Sequence, residues 1–380
     1  MRVAVIGGGL QGVELCLLAR RAGWRTLLVD RRPLPPARYL ADDFLCADIT
    51  TDDGPDGMPS PFVRALEGVD LVFPALEDDP ALAALGTACA RTGVPLAFDP
   101  AAYAVSSSKL RSRDFFERCG TPIPCPARPD APPRYPLIAK PSAGSGSRGV
   151  HLLHNEAELT ACLPQGLRTP GWIVEAYCPG RQFSLEVCGT PGNYRTFQLT
   201  ELLLDDVYDC RGVLAPVAEA GLAAEVAAEL HRLAGGLALH GLMDVEVVAG
   251  PDGWRVLEID ARFPSQTPLT VWLSTGRNLA EELASCFLPL TPAAGRAVPR
   301  PACYLHVARR GGELIHPGEH SLTQVGPLRL LDGIPGTEGM LLGGDLRSGD
   351  WAGVLLLAAD SEAELQQRRE TALEYVAAAG

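Results

Sequence analysis

The sequence predicts an α/β unit on a parallel sheet, then an antiparallel-rich α+β unit, then a smaller α+β tail. Three observations carry this. Apolar runs alternate with helical periodicity up to about residue 105, the rhythm of a parallel sheet covered by helices on both faces. The stretch TPIPCPARPDAPPRYP at 121–136 breaks that rhythm, because so many prolines suit neither a helix nor a central strand. Further on, GLMDVEVV (241–248) and VLEID (256–260) flank a Gly-Pro-Asp-Gly turn at 250–253 and read as a hairpin. The expected units are 1–105, 106–290 and 291–380.

In order, RVAVIG is a buried strand, Leu10 to Ala22 a helix ended by Gly23, and RTLLVD a second strand ending at Asp30. Val69 to Pro74 is a third strand, 79–91 an Ala-rich helix, VPLAF (94–98) a fourth strand, and 108–119 a charged helix. In the middle unit LIAK (137–140), WIVEAY (172–177), QFSLEVCG (182–189) and NYRTFQLTELLL (193–204) read as strands, with a helix over 222–239 before the hairpin. The tail holds short glycine-rich strands and a final helix over 361–378.

A chain of 380 residues with 47% apolar and 21% charged content is ordinary for a globular protein with two or three cores. The net charge of −13 argues against nonspecific nucleic-acid partners and against anionic membranes. Eleven scattered cysteines without a CxxC pair predict reduced thiols and a cytoplasmic location. The opening MRVAVIGGG lacks the pattern of a signal peptide, and no apolar run has the length of a membrane span.

The hairpin holds the strongest chemical signal. Glu258 and Asp260 are two apart in an extended segment and therefore share a face. Pairing sets Asp244 or Glu246 beside them. Clustered acids in a half-buried sheet repel one another unless a cation neutralises them. Hard oxygen ligands without His or Cys suit Mg²⁺ held against a nucleotide's phosphates.

Gly7-Gly8-Gly9-Leu10-Gln11-Gly12 also satisfies G-x-G-x-x-G between a strand and a helix, with Asp30 closing the next strand. That is a dinucleotide fingerprint. A second nucleotide site with fuller equipment argues against it. Lys109 opens the charged helix. Lys140 ends LIAK and is followed by PSAGSGSRG (141–149), a loop whose backbone N–H groups can wrap phosphates. The strand around Glu175 leads into a hinge that can offer backbone groups to an adenine.

The order of these parts resembles the ATP-grasp superfamily: a lysine, a strand lysine with its Gly/Ser loop, a hinge strand with Glu175, then the acidic hairpin. The resemblance covers nearly the whole chain. It implies a Rossmann-like N-terminal domain without a redox cofactor, an ATP-grasp fold, and a small C-terminal α+β domain. GGGLQGVE (7–14), DDVYDC (205–210), GLMDVE (241–246) and EIDARFPSQTP (258–268) are further similar to the pyrrolysine-pathway branch, ligases that join 3-methyl-D-ornithine to L-lysine.

The resemblance implies ATP and Mg²⁺ as cofactors and small amino acids as substrates. Lys109 and Lys140 would hold phosphates, with Ser142, Gly144, Ser145, Gly146 and Ser147 closing over them. Glu175 with the backbone of Ala176 and Tyr177 would take the adenine. Asp244, Glu258 and Asp260 would ligate metal. Arg262 would neutralise the reacting carboxylate. Gln11, Ser184, Glu186, Tyr208, Asp209, Ser265, Gln266 and Thr267 would contact the amino acids. Two positions depart from the superfamily pattern: Arg181-Gln182 stand where a ribose-binding acid is usual, and Leu242 where an arginine is. The competing readings are an ATP-grasp ligase with other substrates and a nicotinamide-dependent oxidoreductase. The second gives no account of Lys140, the loop or the acids.

Overall fold

The computed structural model describes residues 1–50, 60–144 and 146–379. The first part contains β1 (Arg2–Ile6), α1 (Leu10–Arg21), β2 (Arg25–Asp30), β3 (Asp43–Cys46), α2 (Pro61–Ala65), β4 (Leu71–Pro74), α3 (Asp79–Thr92), α4 (Pro100–Ser106) and α5 (Lys109–Cys119). The strands form a parallel sheet in the order β3-β2-β1-β4. Strand alternation shows in the packing: Val3 and Val5 of β1 join the core beneath α1, whereas Ala4 and Ile6 join the core of Leu85 and Ala88 from α3. The strand expected at 94–98 shrinks to one bridge between Val72 and Leu96. Pro95 supplies a carbonyl to Val72 there but has no N–H to extend a ladder.

The middle part starts with a small antiparallel sheet in the order β6-β5-β7, made of β5 (Leu137–Pro141), β6 (His151–Leu153) and β7 (Trp172–Ala176), with α6 (Glu156–Cys162) between the last two. It continues with β8 (Arg181–Thr190), β9 (Asn193–Thr196), β10 (Thr200–Leu204), β11 (Cys210–Ala215), α7 (Ala220–Leu237), β12 (Gly241–Gly250), β13 (Gly253–Asp260), α8 (Thr267–Thr275) and α9 (Leu279–Ala284). The strand expected at 193–204 is split. β9 pairs with the end of β8 and β10 with its beginning, and Phe197 between them donates to the Glu186 carbonyl at 3.1 Å. One face of β8, β12 and β13 buries Leu185, Val245 and Ile259 against Val226, Leu230 and Leu233 of α7. The opposite face carries the acids.

The last part has β14 (Ala302–Arg310), β15 (Glu313–Ile315), β16 (Arg329–Leu331), β17 (Gly339–Asp345), β18 (Ser348–Ala358) and α10 (Glu362–Ala378). Its strands extend the sheet of the middle part. The order is β13-β12-β8-β10-β11-β14-β18-β17-β16, and the seam is the antiparallel β11–β14 pair. A 3₁₀ turn at Glu319–Gln324 reaches back toward the glycine-rich loop.

Candidate active site

The expected hairpin forms, and its register brings both candidate acids beside the pair on β13. Asp244 lies opposite Asp260 and Glu246 opposite Glu258 on β13, while on β8 Asp244 faces Glu186 and Glu246 faces Ser184. Residues directly opposite share a face, so five acids and a serine form two adjacent rows. Burial and mutual repulsion shift their protonation. Glu246 is pushed up to about 8, by burial first and then by Glu258. Asp260 is pushed up to about 7 by burial, against the pull of Arg262. Asp244 is driven well above the usual carboxylate range by burial and by Asp260. Glu258 is the exception. Burial pushes it up, but Lys109 and Lys140 together outweigh that and hold it below its ordinary value.

The two lysines are paired with acids. Lys109 Nζ lies 2.8 Å from Glu258 Oε2 and donates to the Gly144 carbonyl at 2.9 Å. Lys140 Nζ lies 2.8 Å from Glu175 Oε1, with both side chains 9% exposed. A cavity of about 100 Å³ between the two antiparallel sheets is lined by Lys109, Lys140, Gly144, Gly146, Ser147 and Glu175, with Glu246 and Glu258 across from them. Ala176, Tyr177 and Cys178 line its hinge end.

Some groups of the expected nucleotide contacts are engaged within the protein. The Ser142 hydroxyl is not on the cavity wall; it bonds Ser108 Oγ at 3.0 Å and accepts from Leu110 N at 3.2 Å, fixing the start of α5. The amides of Ala176 and Tyr177 already donate to the carbonyls of Cys125 and Pro136, at 2.8 and 3.1 Å. Among the described residues the Cys178 amide has no such acceptor, so it is the donor the hinge has left. Ser145 lies outside the described residues.

A larger cavity of about 510 Å³ adjoins the first and shares Gly144, Gly146, Glu246 and Glu258 with it. Its wall includes Gln11, Ser184, Tyr208, Asp209, Arg262, Ser265, Gln266 and Thr267. Arg262 is clamped by Glu77, with Nε 2.6 Å from Oε1, and by Asp260, with Nη2 3.0 Å from Oδ2. Gln11 donates to the same Glu77 oxygen at 2.7 Å. Tyr208 sits at φ 64° in a tight turn held by Asp205, and its carbonyl accepts from Ser147 Oγ at 2.7 Å. Asp209 bonds His320 Nδ1 at 2.7 Å. Glu186 is fully buried beneath the wall rather than on it, and burial pushes it up to about 7, against the pull of the Thr267 hydroxyl.

Sequence reasoning missed Glu77, Glu319 and His320, the last joined at 2.9 Å to Arg148 of the glycine-rich loop. Glu77 had a readable signal, since it follows the carboxyl end of a parallel strand, where ligands of open α/β sheets bind. Glu319 and His320 lie in a stretch without a motif. Glu14 was also unread. From α1 its Oε2 accepts from Leu269 N at 3.0 Å, capping α8. The fingerprint glycines have a packing role. A Cβ on Gly7 would lie 2.4 Å from the Ala75 carbonyl oxygen, and one on Gly12 would lie 2.2 Å from that of Gly7. Asp30 accepts from Gly8 N at 2.7 Å and pairs with Arg32 at 2.8 Å.

The donor set suits a hard divalent cation: carboxylates only, with Asp244 Oδ1 buried and, among the described residues, unpartnered. Among the described residues, however, no three acids converge in metal-ligand geometry. Glu258 is drawn to Lys109 and Asp260 to Arg262, so metal binding requires those pairs to loosen.

A family model described as "ATP-grasp domain" matches residues 106–266. The chain is 36% identical over 285 residues to the 3-methyl-D-ornithine–L-lysine ligase of Methanosarcina mazei, covering 75% of this chain and 71% of that one. It is 35% identical over the same length to that of Methanosarcina barkeri, covering 73% of the relative. In fold it is similar to N5-carboxyaminoimidazole ribonucleotide synthetase from Thermus thermophilus, with TM-score 0.69, 20% identity and 98% of each chain covered. A parallel α/β unit, two antiparallel sheets gripping a lysine-lined cavity, and these likenesses lead to one assignment: the chain belongs to the ATP-grasp superfamily and is an ATP-dependent ligase.

Proposed function

We propose that this ligase joins 3-methyl-D-ornithine, or D-ornithine, to the side-chain amine of L-lysine through an acyl phosphate. The observation that carries the reading is the continuity of the two cavities across Gly144, Gly146, Glu246 and Glu258. A nucleotide between the sheets would direct its terminal phosphate at the wall that holds Arg262 and the amino-acid contacts. In this reading the three expected units divide the work: 106–290 holds ATP, while 1–105 and 291–380 close the amino-acid side.

Lys109, Lys140, Gly144, Gly146 and Ser147 hold the phosphates. The Ala176 carbonyl and the Cys178 amide take the adenine edge. Asp244, Glu258 and Asp260, with Glu246 beside them, would hold Mg²⁺, which offsets charge on the transferring phosphoryl group when bound. Arg262 stabilises the charge on the donor carboxylate. The lysine amine must arrive neutral, and Asp209, on the wall and steadied by His320, accepts its proton. Gln11, Ser184, Tyr208, Ser265, Gln266 and Thr267 orient the two zwitterions, which need both signs of charge within reach. Glu186 supports Thr267 from behind.

The test is phosphate release and product mass with MgATP, L-lysine and D- or L-ornithine. D-ornithine should outperform L-ornithine, because inversion swaps an ammonium with a hydrogen and leaves a buried acid unpaired. Equal rates, or phosphate release that ignores lysine, would favour an ATP-grasp ligase with other substrates.

A further inference from the structure

Glu319 places a carboxylate on the wall of the larger cavity, and among the described residues no lysine or arginine forms an ion pair with it. It is held from two directions. Its Oε2 accepts from Gln266 Nε2 at 2.6 Å and from Ser265 Oγ at 3.4 Å. Its turn is pinned to Asp209, which bonds both the amide and Nδ1 of His320, at 3.3 and 2.7 Å. Residue 318 must be glycine for that approach, since a Cβ there would lie 2.0 Å from Asp209 Oδ2.

Gln266 is itself constrained. It sits at φ 70°, ψ −50°, and Thr267 N donates to the Ser265 carbonyl at 2.8 Å. This is the γ-turn of the rarer, strained hand. Such strain persists only where the surroundings over-determine it, and it gathers at functional sites. The surroundings are visible. Thr270 Oγ1 donates to the Gln266 carbonyl at 2.9 Å, and His306 Nε2 lies 3.3 Å from Gln266 Oε1. A carboxylate only accepts, so the Gln266 nitrogen faces Glu319 and its oxygen faces His306. His306 therefore carries its proton on Nε2. It is fully buried, its Nδ1 has no partner among the described residues, and burial drives it down to about 3, so it stays neutral.

The result is a relay in which His306 fixes the amide of Gln266, and the amide fixes one oxygen of Glu319. The other oxygen points toward the glycine-rich loop, where a Cβ on Gly146 would meet it at 3.0 Å. Burial pushes this carboxyl up, and the charges of Arg262 and His320 offset that only in part, so a cation arriving directly beside it is favourable. We propose that Glu319 receives an ammonium group of the amino-acid substrate, and that His306 is its positioning residue, acting through Gln266. This rests on the amino-acid ligase reading above and deepens it.

The experiment compares matched substrates with and without an α-amine: D-ornithine against 5-aminopentanoate as donor, and L-lysine against 6-aminohexanoate as acceptor. The wild type should prefer the amine in at least one pair by roughly 10- to 100-fold in kcat/KM, the worth of one charged hydrogen bond. Glu319→Gln should shrink that preference to about threefold or less, with KM for ATP unchanged. His306→Phe should shift the same ratio in the same direction, and His306→Gln, which can still donate, should restore it. Unchanged ratios in Glu319→Gln, or a variant altered only in its Mg²⁺ requirement, overturn the proposal. If no amide forms, titration calorimetry with MgADP decides: Glu319→Gln must weaken at least tenfold whichever amino acid the wild type binds. A wild type that forms no amide but binds an amino acid defeats the ligase reading alone. One that binds no amino acid defeats both.

Discussion

Glu77 and Arg262 meet at 2.6 Å across the boundary between the parallel unit and the acidic hairpin. The contact lacks hydrogen-bond alignment at Nε, so it is a charge clamp more than a directed bond. With Asp260 on its other side, Arg262 is held at two points, and its guanidinium has little freedom to swing away from the cavity.

Arg262→Lys should therefore lose roughly 10²–10³ in kcat, because an ammonium cannot reproduce a planar fork held at two points. Glu77→Gln should lose roughly 10² through misplacement alone. Nucleotide affinity should be unchanged in both. Steady-state kinetics beside MgADP calorimetry would check this, and a Glu77→Gln enzyme with full kcat would show that the clamp is idle.

Lys140 and Glu175 make a buried pair, so removing one partner strands the other. Lys140→Ala should abolish most turnover and also cost about 3–5 kcal/mol of stability. The double variant Lys140→Met/Glu175→Gln should recover much of the stability and none of the activity. Urea unfolding of the single and double variants would separate the two effects. Additive losses would mean that the pair is not coupled.

The acids make stability depend on pH. Glu246 and Glu14 sit at about 8, and Glu186 and Asp260 at about 7. These folded values exceed the unfolded ones, so their contribution is complete below the ordinary carboxylate range and is lost as pH rises through 7 to 8. His306 opposes them. Its folded value is lowered to about 3, so its contribution is present above the ordinary histidine range and fades on acidification. Tm of the nucleotide-free protein should thus fall as pH rises from 6.5 to 8. MgADP should raise Tm most at the alkaline end, where the acids are charged and a cation is most welcome. A flat or rising profile in differential scanning fluorimetry would contradict this.

The glycine-rich turn at Gly7–Gly12 should bind no nicotinamide cofactor. Asp30, the residue that would take a ribose, is occupied by Gly8 N and Arg32. NADH titrated across its micromolar range should show no fluorescence change. Saturable binding lost in Asp30→Ala would refute the packing role.

Much of the site was legible because its signals are local. The two-residue spacing of Glu258 and Asp260, the turn at 250–253 and the lysine before the Gly/Ser loop each fix a geometry within one hairpin or one strand end. What could not be read depends on distant pairing. The bond that ties the Ser142 hydroxyl to the start of α5 joins residues far apart in the chain. Glu186 shares the acid face yet lies under Thr267. Glu319 reaches the cavity wall, and His306 reaches Gln266 behind it, through the pairing of β14 with β11, a contact no periodicity announces. The split at Phe197 was hidden likewise, since an apolar run reads the same whether or not it is interrupted.

The β11–β14 seam bears on how the protein can be divided. Residue 290 looks like a place to cut, yet a fragment ending there would expose the whole edge of β11, Gly212 to Ala215, with its unpaired N–H and C=O groups. Such an edge invites other chains to pair with it. The nucleotide-holding half of this enzyme is therefore not a separable module, and swapping tails between relatives means replacing a strand of a shared sheet.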